Sequence, residues 1–243
     1  MMHYLDFIYK LEDIANDYKT SYMLGCFGQP ATSTNISNAV ARPNLNNSRF
    51  EQGALSIKGK GFMFDCVCLI KAVLWGWSGD FNKSYGGAVY GSNGVPDINA
   101  DQMINKCKDV STDFSTIQMG EVVWMKGHIG VYVGAGEVIE CTPKWGVSPG
   151  VKVSMLGNLG FTGSKVRNWT KHGKLPWVDY TQKTVVQTPT VKLIYDSVED
   201  LPDYAKEAVK YYIDKGALKG GSTGLNLTEE MVRILTILYR AKE

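Results

Sequence analysis

Two cysteines stand one residue apart in GFMFDCVCLIK: Cys66 and Cys68, just after Asp65 and at the start of an apolar run. Three readings are open: a nucleophile, a pair of metal ligands, or two core thiols. A nucleophilic cysteine needs its thiolate form, a nearby base and a group that orients the base. Asp65 is a suitable cap for a helix beginning at Cys66. The unpaired N–H groups and dipole of a helix start stabilise a thiolate. Cys68, two residues on, faces a different side of that helix. Position therefore favours Cys66 as nucleophile and Cys68 as core, with a core role for Cys66 still open on these residues alone. The competing use is zinc. A C-x-C pair is tighter than the usual C-x₂₋₄-C spacing and no second ligand cluster follows, so neither a metal nor a cofactor is expected.

The base must come from three histidines, His3, His128 and His172. His3 falls in an expected frayed start. His128 opens GHIGVYVGAGEVIECTP, which reads as two short strands around a glycine-rich turn. A three-residue loop, Gly134 to Gly136, sets Gly130 opposite Glu140. His128 shares Gly130's face, so His128 and Glu140 become diagonal neighbours. Ile129, Val131, Val133, Ile139 and Cys141 then form the opposite, apolar face. A two- or four-residue loop would put His128 and Glu140 on different faces.

Around these residues the pattern predicts an amphipathic helix over Leu5 to Tyr18 and a long polar, turn-rich loop with some local structure from Ser21 to Gly53. A helix over Phe64 to Trp75, a glycine-rich surface segment and a short helix over Asp101 to Lys108 follow. Further strands are expected through Val151–Val153 and Lys165–Trp169. TQKTVVQTPT reads as a linker. Beyond it come two helices, one ending at Gly216 and one over Leu227 to Arg240 with Thr228 as cap. The fold class expected is α+β, with domains at 1–180 and 191–243 joined by the linker 181–190.

Composition narrows the partners. The chain has 243 residues with 26 basic and 24 acidic side chains, a net charge of +2 that leaves no nucleic-acid footprint. No apolar stretch is long enough to span a bilayer. The first twenty residues lack a basic leader and are broken by acids, so a cytosolic site of synthesis is expected. Five cysteines fit no disulfide framework and are expected as free thiols.

FDCVCLI resembles the D-C-S-G-[FL]-V nucleophile motif of the NlpC-type, papain-like cell-wall peptidases. GHIGVYVGAGEVIECTP resembles that family's H-V-G-[IV]-Y strand pair, and SYMLGCFGQP its P-Y-V-W-G-G segment. The resemblance covers Tyr4 to about Tyr180 and shades into the CHAP amidases and peptidases. It implies a papain-like helix and antiparallel sheet, with Cys66 as nucleophile, His128 as base and Glu140 as third group. It also implies Tyr22, Asp65 and Trp124 as substrate-contacting residues. Val67 and Cys68 depart from the Ser-Gly pair, Cys26 from a glycine, and Phe27 to Gly61 is an unusually long insertion. The whole is most like endolysins of phages that infect clostridia. That implies a peptidoglycan hydrolase held in the host cytoplasm until release to the wall, cutting a stem-peptide bond. An amidase of the same fold and a non-catalytic wall-binding or tail protein are the alternatives. YDSVEDLPDYAKEAVKYYIDKGALKGG and LTEEMVRILTILYR resemble an S-layer-homology unit. This implies binding to peptidoglycan or a secondary wall polymer, and two such short amphipathic helices suit a homodimer.

Overall fold

The computed structural model describes residues 1–144, 149–181, 194–221 and 224–240. The chain divides into two compact units, Met1–Thr181 and Gln182–Glu243. Residues 182–190 of the expected linker lie outside the described residues. Among the described residues no helix is long and apolar enough to cross a membrane.

The first unit is α+β. It opens with strand β1 (Met2–His3) and helix α1 (Tyr4–Asp17), whose Phe7, Ile8, Leu11 and Ile14 form the buried stripe of an amphipathic helix. His3 is not frayed. Its Nδ1 accepts the Leu5 N–H and caps α1, its Nε2 donates to Thr181 O at 3.0 Å, and β1 pairs in parallel with β12 (Val178–Asp179).

The segment expected as a loop with some local structure is built largely from regular elements. It carries β2 (Lys19–Tyr22), β3 (Phe27–Pro30), α2 (Ser33–Val40) and α3 (Glu51–Ser56). With β4 (Gly61–Phe64) the strands make a small sheet in the order β2-β4-β3. Thr32 caps α2 through the Asn35 N–H, and the buried Asn47 side chain bridges Leu24 and Ala39. Side-chain hydrogen bonds thus hold a polar stretch that lacks a hydrophobic period.

Helix α4 (Cys66–Leu74) follows, one residue beyond the end of β4, so Phe64 belongs to a strand and not to the helix expected there. All nine α4 residues are buried. A helix enclosed on every side is apolar all round, and the exception, Lys71, pairs with Asp97 and donates to Ile98 O at 3.2 Å. That clamp fastens the glycine-rich segment to α4, and α5 (Ala100–Ile104) begins directly after it, shorter than expected.

A curled mixed sheet then forms from β5 (Lys108–Ser111), β6 (Val122–Met125), β7 (His128–Gly134), β8 (Glu137–Thr142), β9 (Gly150–Leu156), β10 (Val166–Arg167) and β11 (Lys171–Lys174). Its order is β10-β9-β8-β7-β6-β11-β5, antiparallel except for the parallel β9–β10 pair. One face carries Ile129, Val131, Ile139 and Cys141 into the main core with α1 and α4. The other face is covered too, by Phe114, Val123, Val138, Leu156 and Trp169.

The second unit contains a two-residue pairing of β13 (Ile194–Tyr195) with β14 (Leu227–Thr228), and helices α6 (Asp203–Asp214) and α7 (Glu229–Arg240). Tyr195, Leu201, Ala205, Val209, Leu227 and Val232 make its core. Gly216, at φ +67, ends α6 in a left-handed turn, and Thr228 Oγ1 accepts the Met231 N–H at 3.4 Å. Met231, Ile234 and Leu238 of α7 are exposed.

Candidate functional site

Cys66 is the first residue of α4. Asp65 is its cap: Oδ1 accepts the Cys68 N–H and Oδ2 the Gly25 N–H, each at 2.7 Å. Both oxygens of the substrate contact expected at Asp65 are therefore bound to backbone, joining the helix start to the β2–β3 turn. Burial raises the Asp65 carboxyl pKa against the pull of those two N–H groups. The Cys66 thiol is also driven up, to about 12, first by burial and then by the Asp65 charge. The N–H groups of Val67, Ile129 and Cys66 itself pull it down but lose. The thiolate preference expected from the helix start is thus outweighed in the resting protein. The involvement of Ile129 N–H puts the sulfur beside the peptide that follows His128. Cys68 is buried as a core residue.

His128 reaches Glu140 as the alternation of side chains requires. Val131 pairs with Ile139 and Tyr132 with Val138, which brings Gly130 level with Glu140. The loop differs from expectation. Gly134 pairs with Glu137, so only Ala135 and Gly136 turn, both at positive φ, and a bulge between Tyr132 and Gly134 supplies the extra residue. A two-residue turn plus one bulged residue keeps the register of a three-residue loop. A Cβ on Gly130 would lie 2.8 Å from Val138 Cγ1, 3.1 Å from Ile139 O and 3.2 Å from Glu140 Cβ, so the bare glycine lets β8 pack closely here.

His128 Nε2 donates to Glu140 Oε2 at 2.5 Å, which leaves Nδ1 as the basic nitrogen of a neutral ring. Glu140 is fully buried. Ser154 Oγ donates to Oε1 at 2.6 Å, Arg167 Nε to Oε1 at 3.2 Å, and an Arg167 terminal nitrogen lies 3.0 Å from Oε2. Burial would lift the carboxyl's pKa, but His128, Ser154 and Arg167 together hold it below the usual carboxylate value. Trp169 lies flat against the His128 ring, centroids 5.4 Å apart and planes within 12°, and Asn158 fixes its backbone through two hydrogen bonds. Glu140 is thus a buried anion held from three strands, and the imidazole is fixed at its edge and on its face.

A groove of about 290 Å³ opens over Cys66, lined also by Tyr22, Leu24, Asn99, Asp101 and Gly127. Tyr22 packs edge-on against Phe50, and burial followed by the charges of Cys66 and Asp65 keeps its phenol protonated beyond the ordinary range. Trp124 is not in this lining. Its Nε1 donates to Asp101 Oδ1 at 2.9 Å, and the Gly127 N–H donates to the same oxygen at 2.8 Å. Trp124 therefore holds one wall of the groove from behind.

The structure brings Cys66, Tyr22 and Asp65 to one groove and joins His128 to Glu140, with the Ile129 N–H linking the two groups. Ser154, Arg167, Trp169 and Asp101 were not expected. Ser154 was findable, since it lies on the face of Glu140 once β8 and β9 are paired through Val138 and Ser154. Among the described residues no three His, Cys, Asp or Glu side chains cluster as a metal site. No family model matches the chain, and no curated protein matches it.

Proposed function

We propose that the first unit is a papain-like cysteine hydrolase of the NlpC type acting on peptidoglycan. Cys66 attacks a stem-peptide carbonyl carbon, and His128 Nδ1 accepts the thiol proton as the C–S bond forms. The oxyanion takes hydrogen bonds from the Cys66 N–H, at the first turn of α4, and from the Tyr22 hydroxyl. The amine leaves with the proton returned by His128, and water then cleaves the thioester by the same base. The raised thiol pKa makes proton transfer part of the attack, in place of a standing thiolate–imidazolium pair. The observation that carries this reading is the half-buried His128 on a fully buried Glu140 that is held from three strands, in the strand beside which Cys66 begins α4.

The test is incubation of purified peptidoglycan with the full chain, followed by mass spectrometry of the released fragments. New amino termini within the stem peptide are expected, and treatment with iodoacetamide should abolish them. Release at the muramoyl–L-alanine bond would assign the amidase alternative, and no released fragment would sink the hydrolase reading. For the second unit we propose wall attachment. Its support is the row Met231, Ile234 and Leu238, exposed on α7 and able to pack against the wall polymer or a second copy.

A further inference from the structure

Gln29 lies in β3 and is 5% exposed. Its Oε1 accepts the Phe27 N–H at 2.6 Å, which fixes which end of the amide is nitrogen. The Nε2 end is buried and has no hydrogen-bond partner among the described residues. Native structures rarely leave such a donor unused, because its desolvation is then uncompensated. Gln29 lines a hollow of about 300 Å³ bordered by Thr32, Asn35, Asn82, Ser84 and Tyr85. None of these residues lines the groove at Cys66.

Tyr85 is held in the left-handed region, at φ 56 and ψ 26, with Gly86 and Gly87 following at positive φ. A residue with a side chain avoids that region unless its surroundings enforce it. Here the ring stacks on Phe27, 4.4 Å away at 25°, while Tyr85 stays 39% exposed. Trp77 fixes the frame: its Nε1 donates to Gly28 O at 3.2 Å, and a Cβ on Gly86 would lie 2.1 Å from that nitrogen. The tyrosine is therefore preset and does not have to be ordered by a ligand.

A rigid, half-open aromatic face beside neutral hydroxyls and amides, with one buried donor waiting, suits a pyranose. The sugar's C–H face covers the ring, and a hydroxyl or acetamido oxygen meets the amide. Lys83 also lines the hollow, and its ammonium lies 3.8 Å from Asp80 in an exposed pair. We infer that this hollow is a subsite for N-acetylated amino sugars, with Tyr85 as platform and Gln29 as buried donor. The choice of amino sugars rests on the peptidoglycan reading above, whereas the hollow itself does not depend on Cys66 being a nucleophile.

The probe is the soluble tetramer of N-acetylglucosamine, titrated into the full chain by calorimetry and by NMR of side-chain amides. Binding that shifts the Gln29 amide resonances is expected. Tyr85→Ala should weaken it about tenfold. Gln29→Glu keeps the acceptor for the Phe27 N–H and removes the donor, and should weaken it comparably. Thermal melts check that both variants fold, and Cys66→Ala should bind like the wild type. No binding by the wild type up to about 20 mM would overturn the assignment, since that limit leaves no useful affinity. So would equal binding by both variants, or a preference for an alanyl-glutamate dipeptide. Sugar binding without any wall cleavage would remove the hydrolase reading and leave this one standing.

Discussion

Glu140→Gln is the substitution that tests the site most severely, because it alters one atom where four donors converge. His128 Nε2, Ser154 Oγ and two Arg167 nitrogens share the two carboxylate oxygens. An amide has one acceptor end. If its NH₂ faces His128, Nε2 must become the lone-pair nitrogen and the proton moves to Nδ1, which removes the base. A comparable tautomer error in a serine protease lowers turnover about 10⁴-fold. If its NH₂ faces Ser154 and Arg167 Nε, the hydroxyl can turn to accept but the half-buried guanidinium meets another donor, at a cost of up to about 3–5 kcal/mol in stability. The ring then keeps its tautomer but loses the anion that stabilises imidazolium. Turnover should therefore fall between about 10²- and 10⁴-fold with KM little changed. The assay is fragment release from soluble muropeptides under saturating substrate, with chemical denaturation alongside to read stability. Turnover within about threefold of the wild type, with the fold intact, would refute the argument that Glu140 sets the His128 tautomer.

Cys66→Ala should abolish fragment release and leave the thermal melt near that of the wild type, whereas Cys68→Ala should keep activity and lose about 1–2 kcal/mol from its cavity, read by urea titration. Gly86→Ala, which meets Trp77 Nε1 at 2.1 Å, should destabilise by about 3 kcal/mol or more, while Gly76→Ala, also at positive φ but in open space, should lose only about 1 kcal/mol. The depressed pKa of Glu140 stabilises the fold above the ordinary carboxylate range, and that contribution is lost as pH falls through the folded value. The stability gap between wild type and Glu140→Gln should accordingly narrow between about pH 7 and about pH 3, as measured by denaturation at each pH. Asp65 has its pKa raised, so its charge costs stability at neutral pH and acidification relieves it, a trend common to both proteins that cancels from the gap. Residues 1–181 expressed alone should fold and cleave soluble muropeptides, and lose more activity on intact walls than on fragments.

The part of the site that was legible in sequence is the part written in alternation. His128, Gly130 and Glu140 fall on one face and Ile129, Val131, Ile139 and Cys141 on the other, and only one register satisfies both sets. The turn type was not legible, because a bulge and a two-residue turn count the same as a three-residue loop. Arg167 sits on a two-residue strand paired to β9 only at Met155 and Leu156, too short for any period. The stretch from Ser21 to Gly53 misled because four-residue strands and an eight-residue helix carry no hydrophobic rhythm. A local signal within it is Thr32, an N-cap residue type whose side chain accepts the Asn35 N–H. The thiol's raised pKa was also out of reach, since helix-start stabilisation is local and readable while enclosure by a distant sheet is not.

The pairing of β1 with β12 bears on how the first unit comes into being. His3 and Thr181 are 178 positions apart, yet their hydrogen bond and the parallel strand pair fasten α1 to the last turn of the unit. A contact of that span is among the last an emerging chain can make, because the intervening polypeptide must exist before the ends can meet. During synthesis α1 has no β12 to rest against until the residues near Val178 leave the ribosome. Glu140, meanwhile, cannot be neutralised until Arg167 has followed it out. The first unit is therefore synthesised nearly whole before its ends can join, and a chain stopped short of Val178 would carry every proposed catalytic residue without the clasp that closes the unit.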